Sequence, residues 1–95
     1  MTYELLLRPR AISELRQVLL DYTRLGYERS FLTELDLVFE MLRVMPRRFP
    51  PVDGPIHRAL LRRHPYAVFF RIRTKPVVVV LAVIHQRRDP ATWPR

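Results

Sequence analysis

The sequence predicts an α+β fold with an N-terminal strand, an antiparallel helical hairpin and then three antiparallel strands that form one small sheet. Three observations support this. Apolar residues recur every three or four positions in the first half of the chain, which is the helical period. In the second half they alternate or run without interruption, as strand residues do. Between the halves, residues 46–55 contain four prolines and a glycine, which predict a loop.

The first two predicted elements are a short strand and a helix. Residues 2–7 are rich in tyrosine and leucine and end at Arg8-Pro9, where proline suits the first turn of a helix. Gly26 can end that helix in the left-handed conformation. Its apolar stripe consists of Ala11, Leu15, Val18, Leu19, Tyr22 and Leu25.

A second helix follows at once and is stopped by Pro46. A tight turn containing glycine joins the two helices, so residues 10–45 should form an antiparallel hairpin whose apolar stripes bury each other. The stripe of the second helix consists of Tyr27, Phe31, Leu35, Val38, Phe39, Leu42 and Met45.

The C-terminal sheet is predicted over residues 56–85, followed by a basic tail over 86–95. Its first strand is 56–63. Its second, 66–73, alternates between an apolar face and a partly charged one. The run 77–84 is apolar on both faces, which is expected of a strand in mid-sheet with cover on each side.

Composition narrows the class of protein. Ninety-five residues with 48% hydrophobic and 27% charged side chains suit one folded domain, 1–95, with a single modest core. The chain has no cysteine, so we expect no disulfide, no metal site and no cofactor. No apolar run approaches the roughly 20 residues that cross a bilayer, and we expect a cytoplasmic protein with no membrane partner.

Charge is segregated along the chain. Residues 1–45 carry six basic and seven acidic residues, a net charge of −1, whereas residues 46–95 carry eleven basic and two acidic, a net of +9. Such a field attracts a polyanion or an acidic protein segment. The side chains predicted to bind such a partner are Arg58, Arg62, Arg71, Arg73, Arg87, Arg88 and Trp93.

The placement of these side chains leaves alternatives open. Arg58 and Arg62, four apart in a predicted strand, should share one face, and Arg71 and Arg73 extend it if their strand pairs alongside. The plainer interpretation is a solvated sheet edge that arginines protect from aggregation. Trp93 could contact a partner or fold back over the sheet.

The order of motifs resembles a known superfamily. A helix pair is followed by a strand at Pro65-Tyr66, a valine-rich strand and a closing His-x-x-Arg-Asp-Pro-x-x-Trp at 85–93. This order is similar to the RelE/ParE toxins of bacterial type II toxin–antitoxin systems, and its tail resembles the ParE branch more. The resemblance implies a toxin bound by a cognate antitoxin, whose acidic, partly disordered segment wraps it and could form a hetero-oligomer with it.

The resemblance implies two activities. ParE-like members poison DNA gyrase, whereas RelE-like members cleave messenger RNA on the ribosome. Arg62 and Arg87 match arginines that function in the RNA-cleaving branch, and His85 is the plausible proton carrier. A tyrosine common in that branch is replaced by Trp93, whose indole N–H is neither acid nor base near neutral pH.

We therefore expect a ParE-like toxin that inhibits growth by binding a cellular target, with DNA gyrase the implied candidate and no catalytic residue. The first alternative is a ribosome-dependent messenger RNA endonuclease that uses Arg62, His85 and Arg87. The second is a non-toxic module that binds nucleic acid or protein. His85 could instead hydrogen-bond the tail, and His57 and His64 are predicted to be exposed.

Overall fold

The computed structural model describes residues 2–94; Met1 and Arg95, the last residue of the predicted tail, lie outside them. The strands are β1 Glu4–Leu7, β2 Pro51–Asp53, β3 Ile56–Leu60, β4 Tyr66–Arg73 and β5 Val77–His85. The helices are α1 Pro9–Leu25 and α2 Glu28–Val44, with short 3₁₀-helices at Pro46–Arg48 and Pro90–Thr92. Along this part of the chain no helix is long and apolar enough to cross a membrane. The predicted α+β class is confirmed.

Within residues 2–94 the sheet has five strands in the order β1-β5-β4-β3-β2. β1 runs parallel to β5, and the other neighbouring pairs are antiparallel. The valine-rich strand β5 has a neighbour on each side, and only its two end residues are partly exposed, so its predicted burial is confirmed. The predicted position in mid-sheet is off by one strand, because β4 is the central strand.

The helical hairpin also forms, but the prediction that its apolar stripes bury each other was wrong in part, because Leu25, Tyr27 and Met45 are exposed and the buried members pack with the sheet. Pro9 occupies the first turn of α1, and Gly26 ends the helix in the left-handed conformation with φ of 77°. Glycine adopts this conformation without the steric penalty that a Cβ would cause. The Gly26 N–H then donates a hydrogen bond to the Thr23 carbonyl. The chain then turns sharply into α2, so both helices lie on the same face of the sheet.

The main core lies between the helices and this sheet face. Its fully buried large side chains include Phe31 and Leu42 from α2, and Val68 and Phe70 from β4. Leu5 and Leu7 of β1 pack against the same cluster.

The other sheet face carries a smaller apolar cluster, which depends on an irregularity in β5. Phe69 pairs with Ala82 but Phe70 pairs with Val80, so Leu81 is an extra residue. Such a bulge reverses the alternation. Leu81 and Ala82 therefore both join the smaller cluster, and Val83 returns to the main core. The Glu14 carboxylate accepts a hydrogen bond from the Val83 N–H at 2.9 Å, just past the end of β1.

Two predicted boundaries were wrong. Residues 46–55 are not simply a loop, because they contain a 3₁₀-helix and β2. β2 accommodates Pro51 because it is an edge strand, where a missing N–H costs little. β3 ends at Leu60 rather than at residue 63, since the Leu61 N–H bonds to the Tyr66 carbonyl and closes a turn.

Candidate binding surfaces

A groove of about 550 Å³ lies between α2 and the outer edge of β3. We call it the α2 groove. Leu37 is 63% exposed and Leu60 48% exposed, so two large apolar side chains at this groove face solvent. Charged groups stand at its rim. The groove is lined by Leu37, Val38, Met41, Val44, Met45, Phe49 and Leu60, with Glu34, Glu40 and Arg62.

The groove has an open strand edge beside it. β2 pairs with β3 only at Ile56 and His57, so Arg58–Leu60 have no outer partner among the strands of residues 2–94. The Leu61 N–H donates to the Tyr66 carbonyl at the start of β4. Because successive residues direct their N–H and C=O groups to opposite sides of a strand, those of Leu60 point away from β4, toward the open edge. An extended segment of another chain could pair with this edge while its side chains enter the groove.

The charged side chains at the groove differ in whether a group of the protein itself hydrogen-bonds or ion-pairs with them. The Glu34 carboxylate accepts from the Arg63 N–H at 3.1 Å, and Glu40 lies 3.7 Å from Arg43. Arg62 is exposed, and no carboxylate of the described residues lies within ion-pair distance of it. Arg62 is therefore the cation that an incoming acidic side chain would meet.

A second set of arginines lies on the sheet face away from the helices. Arg58 of β3 pairs with Phe69 of β4, and Arg71 and Arg73 follow Phe69 at alternate positions, so all three share that face. We call Arg58, Arg71 and Arg73 the second-face arginines. The predicted extension of the Arg58 surface by Arg71 and Arg73 is thus present.

Trp93 lies on this same face. Its ring centroid is 5.1 Å from that of Phe69, and the Arg58 guanidinium carbon is 5.4 Å from the Trp93 ring centroid. The Thr92 carbonyl accepts from Arg10 at 2.5 Å, which ties the tail to α1. The tail therefore folds back as a cover for the smaller apolar cluster, one of the two placements that the sequence left open.

Arg62, Arg63, Arg87 and Arg88 form a separate group at the other end of β4. The Gln86 N–H donates to the Pro65 carbonyl at 2.8 Å, which holds the start of the tail against the β3–β4 turn. The prediction that Arg58 and Arg62 share a face was wrong, because Arg62 lies in that turn, past the end of β3. Seven residue steps, roughly 24 Å, separate Arg73 from the turn end of β4, while Arg58 lies between them opposite Phe69. Arg71 and Arg73 are thus the part of the cationic surface that is well separated from the Arg62 group.

Within residues 2–94 no ion pair compensates the positive charge of the second half. The ion pairs there are Arg10–Glu14 and Arg43–Glu40, and both lie in the first half of the chain. The arginines of both groups are therefore not engaged by carboxylates of residues 2–94, although the Arg58 guanidinium packs on Trp93.

His85 lines a different cleft, of about 310 Å³, between α1 and the end of β5. Its Nδ1 accepts from the Arg87 N–H at 3.1 Å, so Nε2 carries the proton of the neutral ring. Burial is the main cause that raises the pKa of Tyr66, whose ring meets His85 edge-on at 5.4 Å. The hydrogen bond from the Arg87 N–H to His85 Nδ1 is a contact with the tail. It is the structural role that the sequence analysis gave as the alternative for His85.

Sequence reasoning missed the acidic wall of this cleft. Glu14 and Asp21 line it, although the charge count assigned them to the opposite half of the molecule. The signal was available, since Glu14, Gln17 and Asp21 recur at spacings of three and four beside the buried stripe of α1.

His64 and His57 are not exposed, and the prediction that they would be was wrong. His64 is 9% exposed; its Nδ1 lies 3.0 Å from the Tyr22 hydroxyl and its Nε2 3.1 Å from Ser30 Oγ. Burial, more than the nearby Tyr66 and Glu34, raises the pKa of Tyr22. His57 stacks on Phe70 and its Nδ1 donates to the Phe49 carbonyl at 2.7 Å. Both histidines join segments that are distant in sequence.

Comparison with known proteins decides the family. The family model described as "ParE toxin of type II toxin-antitoxin system, parDE" matches residues 5–90. The chain belongs to the ParE toxin family. The superfamily resemblance, and its closer likeness to the ParE branch, are therefore confirmed, and this chain is a type II toxin–antitoxin toxin. No curated protein matches it significantly.

Solved structures show that this ParE-family toxin shares its fold with both branches. The chromosomal ParDE TA system from P. aeruginosa is 17% identical, with 87% of this chain and 95% of that chain covered and a TM-score of 0.71. The archaeal RelE-RelB complex from Pyrococcus horikoshii OT3 is 18% identical, with 94% and 100% covered and a TM-score of 0.52. At these identities the likeness shows the fold alone.

Proposed function

We propose that this ParE-family toxin inhibits growth by binding a macromolecular target, with DNA gyrase as the candidate, and that a cognate antitoxin neutralises it. The observation that favours binding over catalysis concerns the residues that a nuclease would need. Arg62, His85 and Arg87 lie at the same end of the sheet, but Arg62 lines the α2 groove, whereas His85 lines the cleft beside α1.

RNA cleavage requires a base, an acid and cations around one phosphate. The Nδ1 atom of His85 is already engaged by the Arg87 backbone, and Trp93 packs on Phe69 on the second face. Glu14, which lines the same cleft as His85, is also engaged in the fold: its carboxylate accepts from the Val83 N–H and pairs with Arg10 at 3.2 Å. This arrangement favours a surface that binds over a site that cleaves.

Support for gyrase comes from the family. The ParE branch is the one whose members poison gyrase, and the model match covers most of this chain. A strongly cationic protein, with a net charge of +8, is also suited to a large partner, since electrostatic attraction raises the rate of encounter with an extended anionic surface.

Support for an antitoxin comes from the α2 groove and from the two solved relatives, whose names describe ParDE and RelE-RelB assemblies. An amphipathic segment could place apolar side chains against Leu37 and Phe49, pair with the edge of β3 and set an acidic residue near Arg62. Burial of apolar area would supply most of the affinity, so binding should fall only moderately as salt rises.

Induction of the chain in bacteria without its antitoxin tests the proposal. Binding to gyrase predicts growth arrest with filamentation and DNA-damage signalling, while messages stay intact. Rapid arrest of translation with cleaved messages would replace this function by the nuclease. A His85→Ala variant sharpens the choice, because target binding predicts that its toxicity persists. Unimpaired growth with soluble, folded protein present would remove both toxic activities.

A further inference from the structure

We infer that the second-face arginines Arg58, Arg71 and Arg73 form a platform that binds the phosphate backbone of duplex DNA without reading its sequence. This inference does not depend on gyrase or on the antitoxin. It starts from the placement of the arginines, of which Arg62 lines the α2 groove, whereas Arg71 and Arg73 lie on the other sheet face.

The geometry of the platform suits a row of phosphates. Arg71 and Arg73 are alternate residues of β4, about 6.8 Å apart along the strand. Arg58, opposite Phe69, is the diagonal neighbour of Arg71, at roughly 7–8 Å across the strands. The spacing resembles that of successive phosphates along a nucleic-acid strand, and each guanidinium can donate two parallel hydrogen bonds to phosphate oxygens.

The charge of the platform is available. Arg71 and Arg73 are exposed, and Lys75 in the following turn adds a further cation. Asp53 shares a shallow cleft of about 390 Å³ with Arg71, yet the two form no ion pair within 4.0 Å among the described residues. A polyanion would therefore not have to displace an internal carboxylate.

The surroundings favour a duplex over a single strand. Proteins that hold single strands stack the bases on aromatic side chains. The ring of Trp93, beside the platform, already contacts Phe69 and the Arg58 guanidinium. Contacts limited to phosphates leave the base sequence unread.

The surroundings also argue against an acidic protein segment as the occupant. A segment that folds on binding needs apolar anchors to offset the entropy that it loses. On the second face Leu6 of β1 is exposed, and Val79 separates it from Arg71. The α2 groove offers four exposed apolar side chains, Leu37, Val44, Met45 and Leu60, so a folding segment would find more anchors there.

The test measures the anisotropy of a short fluorescein-labelled DNA duplex of arbitrary sequence, titrated with the purified chain at several salt concentrations. We expect a dissociation constant of about 10⁻⁶ to 10⁻⁴ M near physiological salt, and a linear fall of log K with log salt. Arg71→Ser with Arg73→Ser should weaken binding about tenfold or more and reduce the salt slope by about 2.

The matched control removes the same charge elsewhere. Arg16→Ser with Arg24→Ser, both exposed on α1, should change affinity by less than about threefold, through the overall field alone. Equal losses in both double variants would reduce the effect to net charge and overturn the platform. Tighter binding of single-stranded DNA or of RNA than of the duplex would also overturn it. Gyrase is absent from this assay, so the outcome is separate from that of the proposed target.

Discussion

The α2 groove and the second face of the sheet lie on either side of β3 and have opposite chemistry. In the groove, apolar side chains such as Leu37 face solvent while Glu34 and Glu40 are partly satisfied by neighbouring groups. On the second face Trp93 of the tail packs on the smaller apolar cluster, and Arg71 and Arg73 face solvent. A toxin domain of this size can thus offer an apolar surface and a cationic surface to different partners.

The difference has a simple structural origin. The tail continues from β5, turns back and places Trp93 over Phe69, which removes that apolar face from water. Nothing comparable in residues 2–94 covers the edge of β3, because β2 reaches only to His57. Exposed apolar patches rimmed by polar groups commonly mark sites for partners.

The largest expected effect concerns the tail cover. Trp93→Ala should lower the free energy of unfolding by about 2–3 kcal/mol, since it removes a large ring from Phe69 and uncovers the smaller apolar cluster. Leu37→Ala in the α2 groove should change it by less than about 0.5 kcal/mol, because that side chain is mainly exposed. Urea unfolding measures both. Similar losses would contradict the distinction between a covered and an open apolar surface.

The next effect concerns the partner at the groove. Leu37→Arg should leave toxicity intact but weaken binding of the cognate antitoxin by about 2 kcal/mol, roughly thirtyfold in the dissociation constant. The reason is that a charge would be buried next to Met41 and Phe49. Titration calorimetry with the antitoxin, and growth rescue on co-expression, provide the readouts. Leu20→Arg on α1, also an exposed leucine, is the control and should behave as wild type.

A smaller effect is expected at the bulge of β5, which shapes the second face. Glu14→Ala should destabilise the chain by about 1–2 kcal/mol, because the buried Val83 N–H loses its charged acceptor. Gln17→Ala, one turn along the same helix, should cost less than about 0.5 kcal/mol, since its bond to Asp21 is exposed. Thermal unfolding would compare them, and equal shifts would refute the role of Glu14.

The smallest effect concerns charge at the groove. Arg62→Ser should weaken antitoxin binding by about 1 kcal/mol, roughly fivefold in the dissociation constant. The difference in affinity between wild type and variant should shrink as the salt concentration rises. Arg71→Ser removes the same charge from the second face and should leave antitoxin affinity within about twofold. A larger loss from Arg71→Ser than from Arg62→Ser would mean that the antitoxin occupies the second face.

Much of the fold followed from local patterns. Gly26 and Pro46 bounded the helices, and the alternation of Tyr66 to Arg73 predicted which β4 residues face the core. The bulge at Leu81 could not be predicted, because a run that is apolar at every position looks the same in either register. β2 was not predicted, because a proline in so short a segment is more typical of a loop than of a strand.

The site was less predictable than the fold. The candidate arginines were identified by charge and, for Arg62 and Arg87, also by the family resemblance. Where each of them lies depended on the end of β3, one residue before the Leu61–Tyr66 hydrogen bond. Leu37 was given no role, because an exposed leucine on a helix is ordinary until the edge of β3 is seen beside it. His64 could not be placed, since its partners Tyr22 and Ser30 come from other elements.

The most direct test of target binding is a DNA supercoiling assay with purified gyrase and this chain. The proposal predicts that supercoiling falls as the chain is added, that the wild-type protein and the His85→Ala variant inhibit alike, and that stoichiometric antitoxin restores activity. Normal supercoiling with folded toxin in excess would contradict gyrase as the target.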